Sequence, residues 1–391
     1  METSTIFWIL TVIVFYTFFG YGILLWLLVK LKKIFTKKQF YNIKEADLPE
    51  VTLLIAAYNE HDFVAEKVKN SLALNYPKDK LKHIWVTDGS NDGTPDLLSQ
   101  YADIQVLHKP ERSGKINAMH RAMEYVKTPI VVFSDANTMI GPDSIQIIAK
   151  LFNNSKIGCV SGEKRIRNKK ADSAAGAGEG FYWRYESFLK KLDFELYSTC
   201  GAAGELFAIR RELYQAVKPD TILDDFVISL QIVMKGYKIA YDPNAYAEEK
   251  PSASTFDEFE RKTRIAAGGL QSIFRLLPLF NIFKYKIFSF QYVSHRVLRW
   301  TITPYAFFAL FPINVWLALE SNFFFALLFF HILFYFLSWI GLQLENKSTR
   351  VKIFFIPYYF VFMNVAVIGG HIKYFKKRQS VNWTKAKRAE D

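Results

Sequence analysis

Apolar residues are distributed along this chain in two different ways. Near the start, residues 6 to 29 form 24 consecutive uncharged positions, IFWILTVIVFYTFFGYGILLWLLV. As one helix this run would measure about 36 Å, enough to cross a bilayer. Basic residues (Lys30, Lys32, Lys33, Lys37, Lys38) follow it rather than precede it. That order predicts an uncleaved anchor, with the first residues outside and the chain from about Lys30 onward in the cytoplasm. Long apolar runs return at 300–319, 321–344 and 353–370. The first two read as a membrane hairpin: the link at Glu320 and Ser321 lacks Lys and Arg, and Lys347, Arg350 and Lys352 follow on the inner side. The third contains Pro357, Asn364 and Gly369-Gly370 and allows either a full crossing or a re-entrant or interfacial element. A full crossing would export a tail, 371–391, with seven Lys or Arg against two acids. Residues 271–299 mix apolar positions with Arg275, Lys284, Lys286, Arg296 and Arg299 and no acids. Helices lying in the headgroup layer have this pattern, as do ordinary amphipathic connectors.

Between these regions the pattern changes. Short β-rich runs alternate with helix-period stretches: VTLLIAA (51–57) then 62–73, HIWVTDG (83–89) then 93–101, IQVLHK (104–109) then 114–126, IVVFSDA (130–136) then 143–153, and IGCVSG (157–162). This predicts βα units on a mostly parallel sheet covered on both faces. In such sheets ligands sit at the carboxyl ends of the strands. Polar residues gather there: Asn59-Glu60, Asp88-Gly89-Ser90 and Asp135-Ala136-Asn137. The expected organisation is an anchor and basic juxtamembrane segment (1–44), a cytoplasmic domain (45–270), interfacial helices (271–299), a transmembrane region (300–370) and a basic cytoplasmic tail (371–391).

Composition sharpens this picture. With 51% hydrophobic and 22% charged residues, the chain is neither disordered nor an ordinary soluble domain. Its charge, 50 basic minus 37 acidic or +13, is concentrated beside the apolar segments, which suits anionic lipid or an anionic ligand and not a nucleic acid. Two cysteines, Cys159 and Cys200, form no CxxC or Cys/His ligand pattern and fit a reducing compartment. There is no GxxxxGK[ST] and no HExxH; AGAGEG (175–180) follows no buried strand, and DGSNDG (88–93) has Ser99 where a calcium loop needs Glu.

Taken in order, AAYNE (56–60), TDGSNDGT (87–94), RSGK (112–115), SDANT (134–138), CGAAGELFAIRREL (200–213), ILDDFVISLQIVMKGYKIAYDP (222–243) and RKTRIAAGG (261–269) resemble a family 2 glycosyltransferase. The resemblance covers about 50 to 270. It extends, more weakly, through the hairpin and the tail SVNWTKAKR to membrane-embedded polysaccharide synthases of the cellulose, hyaluronan and poly-N-acetylglucosamine type. It implies an α/β fold, a GT-A-type Rossmann-like nucleotide-sugar domain with N- and C-terminal transmembrane helices. The implied activity is inverting transfer from a nucleotide-diphospho-sugar, with a UDP-sugar expected, to a growing surface glycan at the inner membrane. Transfer of a single sugar to a lipid-linked acceptor is the alternative, and a transporter or non-catalytic scaffold the alternative of another class. Few helices are available for an export pore, so an export partner or a homo-oligomer is also expected.

Residue by residue, the resemblance places Asp88 on the N3-H of a uracil, with Ala57, Tyr58 and Glu60 lining the same pocket. The motif taken alone also fits an Asx-turn at Asp88, and Asp92 is expected to have that capping role. Asp135 and Asn137 occupy the DxD position that holds Mg2+ or Mn2+ on the diphosphate, with Asn replacing the second acid; a plain strand-end turn is the alternative. Lys115 and Arg112 are candidate phosphate contacts. Asp224-Asp225 falls at the general-base pair, with Asp225 as the base and its neighbour beside it; two acids at a helix N-terminus would also complement the dipole. Gly201 and Glu205 are placed on the acceptor side. RKTRIAAGG stands where processive members carry QxxRW, so Arg261 replaces Gln, Arg264 keeps the arginine for diphosphate oxygens, and Ile265 replaces the Trp that stacks on acceptor sugar.

Overall fold

The computed structural model describes residues 2–36, 47–167, 174–252, 254–345 and 351–377. The tail motif SVNWTKAKR, Lys37, Lys38, Lys347 and Arg350 lie outside them. An eight-stranded sheet forms the centre, in the order β3-β2-β1-β4-β7-β6-β8-β5. Its strands are β1 (Val51–Ala57), β2 (Leu81–Asp88), β3 (Gln105–Lys109), β4 (Ile130–Asp135), β5 (Thr138–Ile140), β6 (Ile157–Ile166), β7 (Leu206–Arg210) and β8 (Lys238–Glu249). The β3-β2-β1-β4 half is parallel, as is the β6-β8 pair, while β7 enters antiparallel between β4 and β6. The sheet is mostly parallel, as the alternating pattern predicts. The antiparallel wedge brings the 200–205 loop back to the carboxyl end of β4, where Leu206 pairs with Ser134.

Strand residues are buried on alternating sides. Leu54, Val86 and Phe133 join one core, whereas Leu53, Ile55, Trp85 and Val132 join the other. Two-sided burial explains why β1 and β4 read as continuous apolar runs. Helices α1 (Glu2–Phe35), α2 (His61–Leu72), α3 (Thr94–Ser99), α4 (Lys115–Tyr125), α5 (Ser144–Leu151), α6 (Ala174–Leu196), α7 (Asp224–Met234) and α8 (Thr255–Arg275) complete the order up to residue 275. Beyond a short irregular stretch come α9 (Ile287–Trp300), α10 (Ile302–Ala318), α11 (Asn322–Glu345) and α12 (Lys352–Phe375).

Among the described residues three helices, α1, α11 and α12 from Ile353, are long and apolar enough to span a membrane; α9 and α10 form a further pair bent by 52°. The α1 helix packs against α10: Phe7 clusters with Leu310 and Leu317, and the Thr17 and Thr303 hydroxyls bond at 2.9 Å. Further on, α1 meets the α/β domain. Tyr21 donates to Asp193 at 2.5 Å, and Lys32 donates to the final carbonyls of α6, at Glu195 and Leu196, where a cation is favoured. The two ends of α12 have different neighbours. Its start meets the end of α11, where a Cβ on Gly341 would lie 2.4 Å from the Phe354 carbonyl oxygen. Near its end, His371 Nε2 donates to the Trp300 carbonyl at 2.8 Å, Lys373 pairs with Glu260 of α8 at 2.7 Å, and a Cβ on Gly370 would be 2.6 Å from the Thr263 carbonyl oxygen.

Candidate active site

A cleft with about 660 Å³ of empty space, part of it open to solvent, lies at the carboxyl ends of β1, β2 and β4. Ala57, Tyr58, Glu60, Asp88, Arg112, Lys115, Asp135 and Asn137 all line it, so eight sequence-selected residues meet on one wall system. Local backbone chemistry explains the convergence. Asn59 adopts a left-handed conformation (φ 53°), which an Asn tolerates better than most residues. Its side chain exchanges hydrogen bonds with Asn91, while Asp92 accepts from His61 N and Thr94 N. Asp92 therefore has the expected capping role and locks the loops after β1 and β2 together. Gly89 (φ +69°) allows the 112–114 segment to pass; a Cβ there would lie 2.6 Å from Arg112 Cβ.

Asp88 is 4% exposed. Its Oδ2 accepts from the backbone N–H groups of Ser113 and Gly114 at 2.7 and 2.6 Å, whereas its Oδ1 is buried with no partner among the described residues. A buried acceptor left bare is costly, and this one faces a cleft. The Arg112 guanidinium stacks 3.8 Å from the Tyr58 ring centroid. At the other side of the cleft Lys115 Nζ sits 2.7 Å from Asp135 Oδ1. Burial raises the Asp135 pKa and Lys115 opposes that rise.

A second group of side chains adjoins Asp135. A Cβ on Gly204 would stand 3.4 Å from Asp225 Oδ2 and 3.9 Å from Asp135 Oδ2, so both carboxylates flank the same glycine. Asp224 and Asp225 open α7. Asp225 is only partly exposed, and burial, reinforced by the Asp224 charge, lifts its pKa from 3.8 to about 7. Glu205 behaves oppositely: burial would raise it, but the Lys164 ammonium 2.5 Å away holds it at about 2. Two neighbouring carboxyl groups are thus driven apart, one poised to take a proton near neutrality and the other fixed as an anion. Gly201 (φ +95°) packs so closely on Phe226 that a Cβ would fall 2.3 Å from the ring. Arg264 is half-buried and lies within the field of Asp224 and Asp225. Arg261 turns toward Glu258 at 2.9 Å and Glu249 at 3.8 Å.

Two buried lysines outside the motifs also shape the site. Lys67 of α2 is fully buried and donates to Ser134 Oγ at 2.8 Å and the Thr138 carbonyl at 2.6 Å, bracing the turn that carries Asp135 and Asn137. Burial lowers its pKa to about 7 against the pull of Asp135. A signal existed: Val64, Lys67, Val68 and Ser71 share the buried stripe of α2, and a lysine at a core position needs a partner. Lys164 of β6 pairs with both Glu205 and Glu249. Its position in a strand gave no hint of those distant partners.

Comparison with known proteins gives the same reading. The chain is 28% identical over 262 residues to a poly-beta-1,6-N-acetyl-D-glucosamine synthase of Staphylococcus aureus (strain MSSA476), a match covering 64% of this chain and 61% of the relative's length. A probable glycosyltransferase, YdaM, of Bacillus subtilis (strain 168) is 26% identical over 381 residues, covering 89% of this chain and 88% of that one. Among solved structures, the mannosyltransferase PcManGT from Pyrobaculum calidifontis, in complex with GDP-Man and Mn2+, superposes with a TM-score of 0.71 at 22% identity. That match covers 96% of this chain and 100% of the other, and so extends the shared GT-A-like fold to the terminal helices. The family model described as glycosyltransferase like family 2 matches residues 49–268, more than half of the chain and the whole of the cleft, so this protein belongs to the family 2 glycosyltransferases.

Proposed function

We propose that the protein transfers a sugar, with inversion, from a nucleoside-diphospho-sugar to a growing surface glycan at the inner face of the cell membrane. One observation carries this reading. One cleft has the bare, buried Asp88 Oδ1 and the Asp135 carboxylate on its walls, and Asp225 stands beside Asp135 across Gly204, which suits a ligand with a base N–H at one end and a reacting centre at the other. Uracil N3-H meets the need at Asp88. The diphosphate then falls near Lys115 and Arg264.

Asp135 and Asn137 fit a divalent cation: Asp135 already holds a cationic group, the Lys115 ammonium, at 2.7 Å, and both side chains offer oxygen ligands. A bound Mg2+ or Mn2+ would neutralise the departing diphosphate. Asp225 takes the acceptor hydroxyl proton as that oxygen approaches C1. Asp224 keeps its partner's proton affinity high, and Glu205, fixed as an anion by Lys164, leaves the proton to Asp225 while offering acceptor hydroxyls a hydrogen-bond acceptor.

The long helices and the basic residues at the end of α1 support the membrane placement. The contacts of α12 with Trp300, Glu260 and Thr263 support an interfacial course that returns the tail to the cytoplasm. Single-sugar transfer to a lipid-linked acceptor is the second reading, favoured by Ile265, which offers no aromatic face, and by Arg261, engaged with Glu258 and Glu249. Calorimetric titration of the purified protein with UDP and GDP tests the donor assignment. UDP should bind and Asp88→Ala should weaken it at least tenfold; unchanged affinity in that variant would remove the base from this end of the cleft.

A further inference from the structure

Behind the 200–205 loop lies a buried ion cluster that the transfer chemistry does not use. Glu186 and Asp193 of α6, and His295, Arg296 and Arg299 of α9, are each no more than 8% exposed. Arg296 Nη2 lies 2.5 Å from Glu186 Oε1, and Arg299 Nη1 lies 3.0 Å from Oε2. His295 bridges the acids, with Nδ1 2.5 Å from Asp193 and Nε2 3.4 Å from Glu186. Asp193 also receives the Tyr21 hydroxyl at 2.5 Å and Gln291 Nε2 at 3.1 Å. Apolar side chains of the same volume would commonly be as stable or more so, because buried charges lose their hydration. The cluster therefore calls for a role other than stability.

Its contact with the active site indicates one. Arg296 Nε donates to the Cys200 carbonyl at 3.0 Å. The next residue, Gly201, makes the left-handed turn that packs on Phe226, the neighbour of Asp225. From α7, Ser229 Oγ accepts the Ala202 N–H at 3.0 Å. Arg296 and Ser229 thus hold the loop at two points, from two different helices, and Gly204 follows against Asp225 and Asp135. Glu186 fixes the guanidinium, and through His295 and Asp193 the same network reaches Tyr21 of α1.

We infer that Arg296 is a positioning residue for transfer: with Glu186 behind it, it sets the 200–205 loop against Asp225, and the network ties that setting to the seating of α1. The inference rests on the sugar-transfer reading above. That reading is tested first with the wild-type protein, whose failure to transfer sugar from any nucleotide sugar would refute the reading itself, separately from what the variants report.

The decisive comparison is between two conservative variants in the full-length protein. Arg296→Lys keeps a cation on Glu186 but loses the forked geometry that serves Glu186 and Cys200 together. Arg299→Lys changes the other arginine on the same acid without touching the loop. Expected for Arg296→Lys are a nucleotide dissociation constant within twofold of wild type, a kcat for transfer reduced about tenfold to a hundredfold, and a raised ratio of donor hydrolysis to transfer. Arg299→Lys should stay within threefold on every measure. Ser229→Ala, which loosens the loop at the other point, should reproduce the raised hydrolysis ratio and serves if Arg296→Lys does not fold. Equal losses in the two arginine variants, or a folded Arg296→Lys or Ser229→Ala variant with an unchanged hydrolysis-to-transfer ratio, would overturn the inference and leave the cluster a packing feature.

Discussion

Replacing Asp225 by Asn separates chemistry from helix capping, because the two roles predict opposite changes in stability. Burial and Asp224 raise the Asp225 pKa from 3.8 to about 7, so the folded protein binds this proton more tightly than the unfolded chain. The resulting contribution to stability is complete below about pH 4 and is lost as pH rises through 7. At pH 8 the wild type carries an ionised carboxylate in an unfavourable place. Three pKa units correspond to about 4 kcal/mol, and partial exposure to the cleft screens this to about 2 kcal/mol. Asn keeps the shape without the charge, so Asp225→Asn should raise the midpoint of thermal unfolding at pH 8 and leave it nearly unchanged at pH 4. Turnover normalised to nucleotide-binding sites should fall about a hundred- to ten-thousand-fold, and the rise of wild-type kcat through pH 7 should vanish. Asp224→Asn should be milder. The assays are calorimetric unfolding at both pH values and initial transfer rates across pH. If Asp225 served only to complement the α7 dipole, Asn would destabilise by about 0.3–1 kcal/mol with near-normal normalised turnover, and that result would refute the reasoning.

Further outcomes follow from the same geometry. EDTA should stop nucleotide release and Mn2+ or Mg2+ restore it, with Asp135→Ala insensitive to either; full turnover in EDTA would exclude the metal assignment. Gly201→Ala places a methyl group 2.3 Å from the Phe226 ring at φ +95° and should lower unfolding stability by about 1–3 kcal/mol; an unfolding midpoint equal to wild type would show that the loop can shift. Lys377→Cys, just past α12, should resist membrane-impermeant thiol reagents in intact cells, whereas labelling there would establish a full crossing by that helix.

How much of this was legible in the sequence depended on the range of the interaction. Strands such as VTLLIAA and IVVFSDA are buried on both faces by local pattern alone, and the polar residues at their ends had to share one sheet edge once the strands were parallel. Glu60, Asp88, Asp135 and Asn137 were recoverable for that reason, whereas Ala57, Tyr58, Arg112 and Lys115 were reached through the family resemblance. The antiparallel entry of β7 was not, because it depends on the pairing of Leu206 with Ser134 across 72 positions. Lys67 could be suspected from its place on the buried stripe of α2, but its partners, like those of Lys164 and Arg296, were hidden by the same distance: each cation neutralises or braces a group on another element, and sequence offers no pairing code for isolated charges. The course of the last apolar segment was likewise undecided between 353 and 370. Its contacts with Glu260, Thr263 and Trp300 come from parts of the chain 71 to 113 residues away.

The central claim is tested most directly by supplying the purified, lipid-reconstituted protein with UDP- and GDP-sugars in the presence of Mn2+ and following both nucleotide release and the configuration at C1 of the product. Expected are release of a nucleoside diphosphate from one donor class, sugar joined to an acceptor with inverted configuration, and loss of both with Asp225→Asn. Retained configuration, or transfer that survives intact in that variant, would contradict the claim.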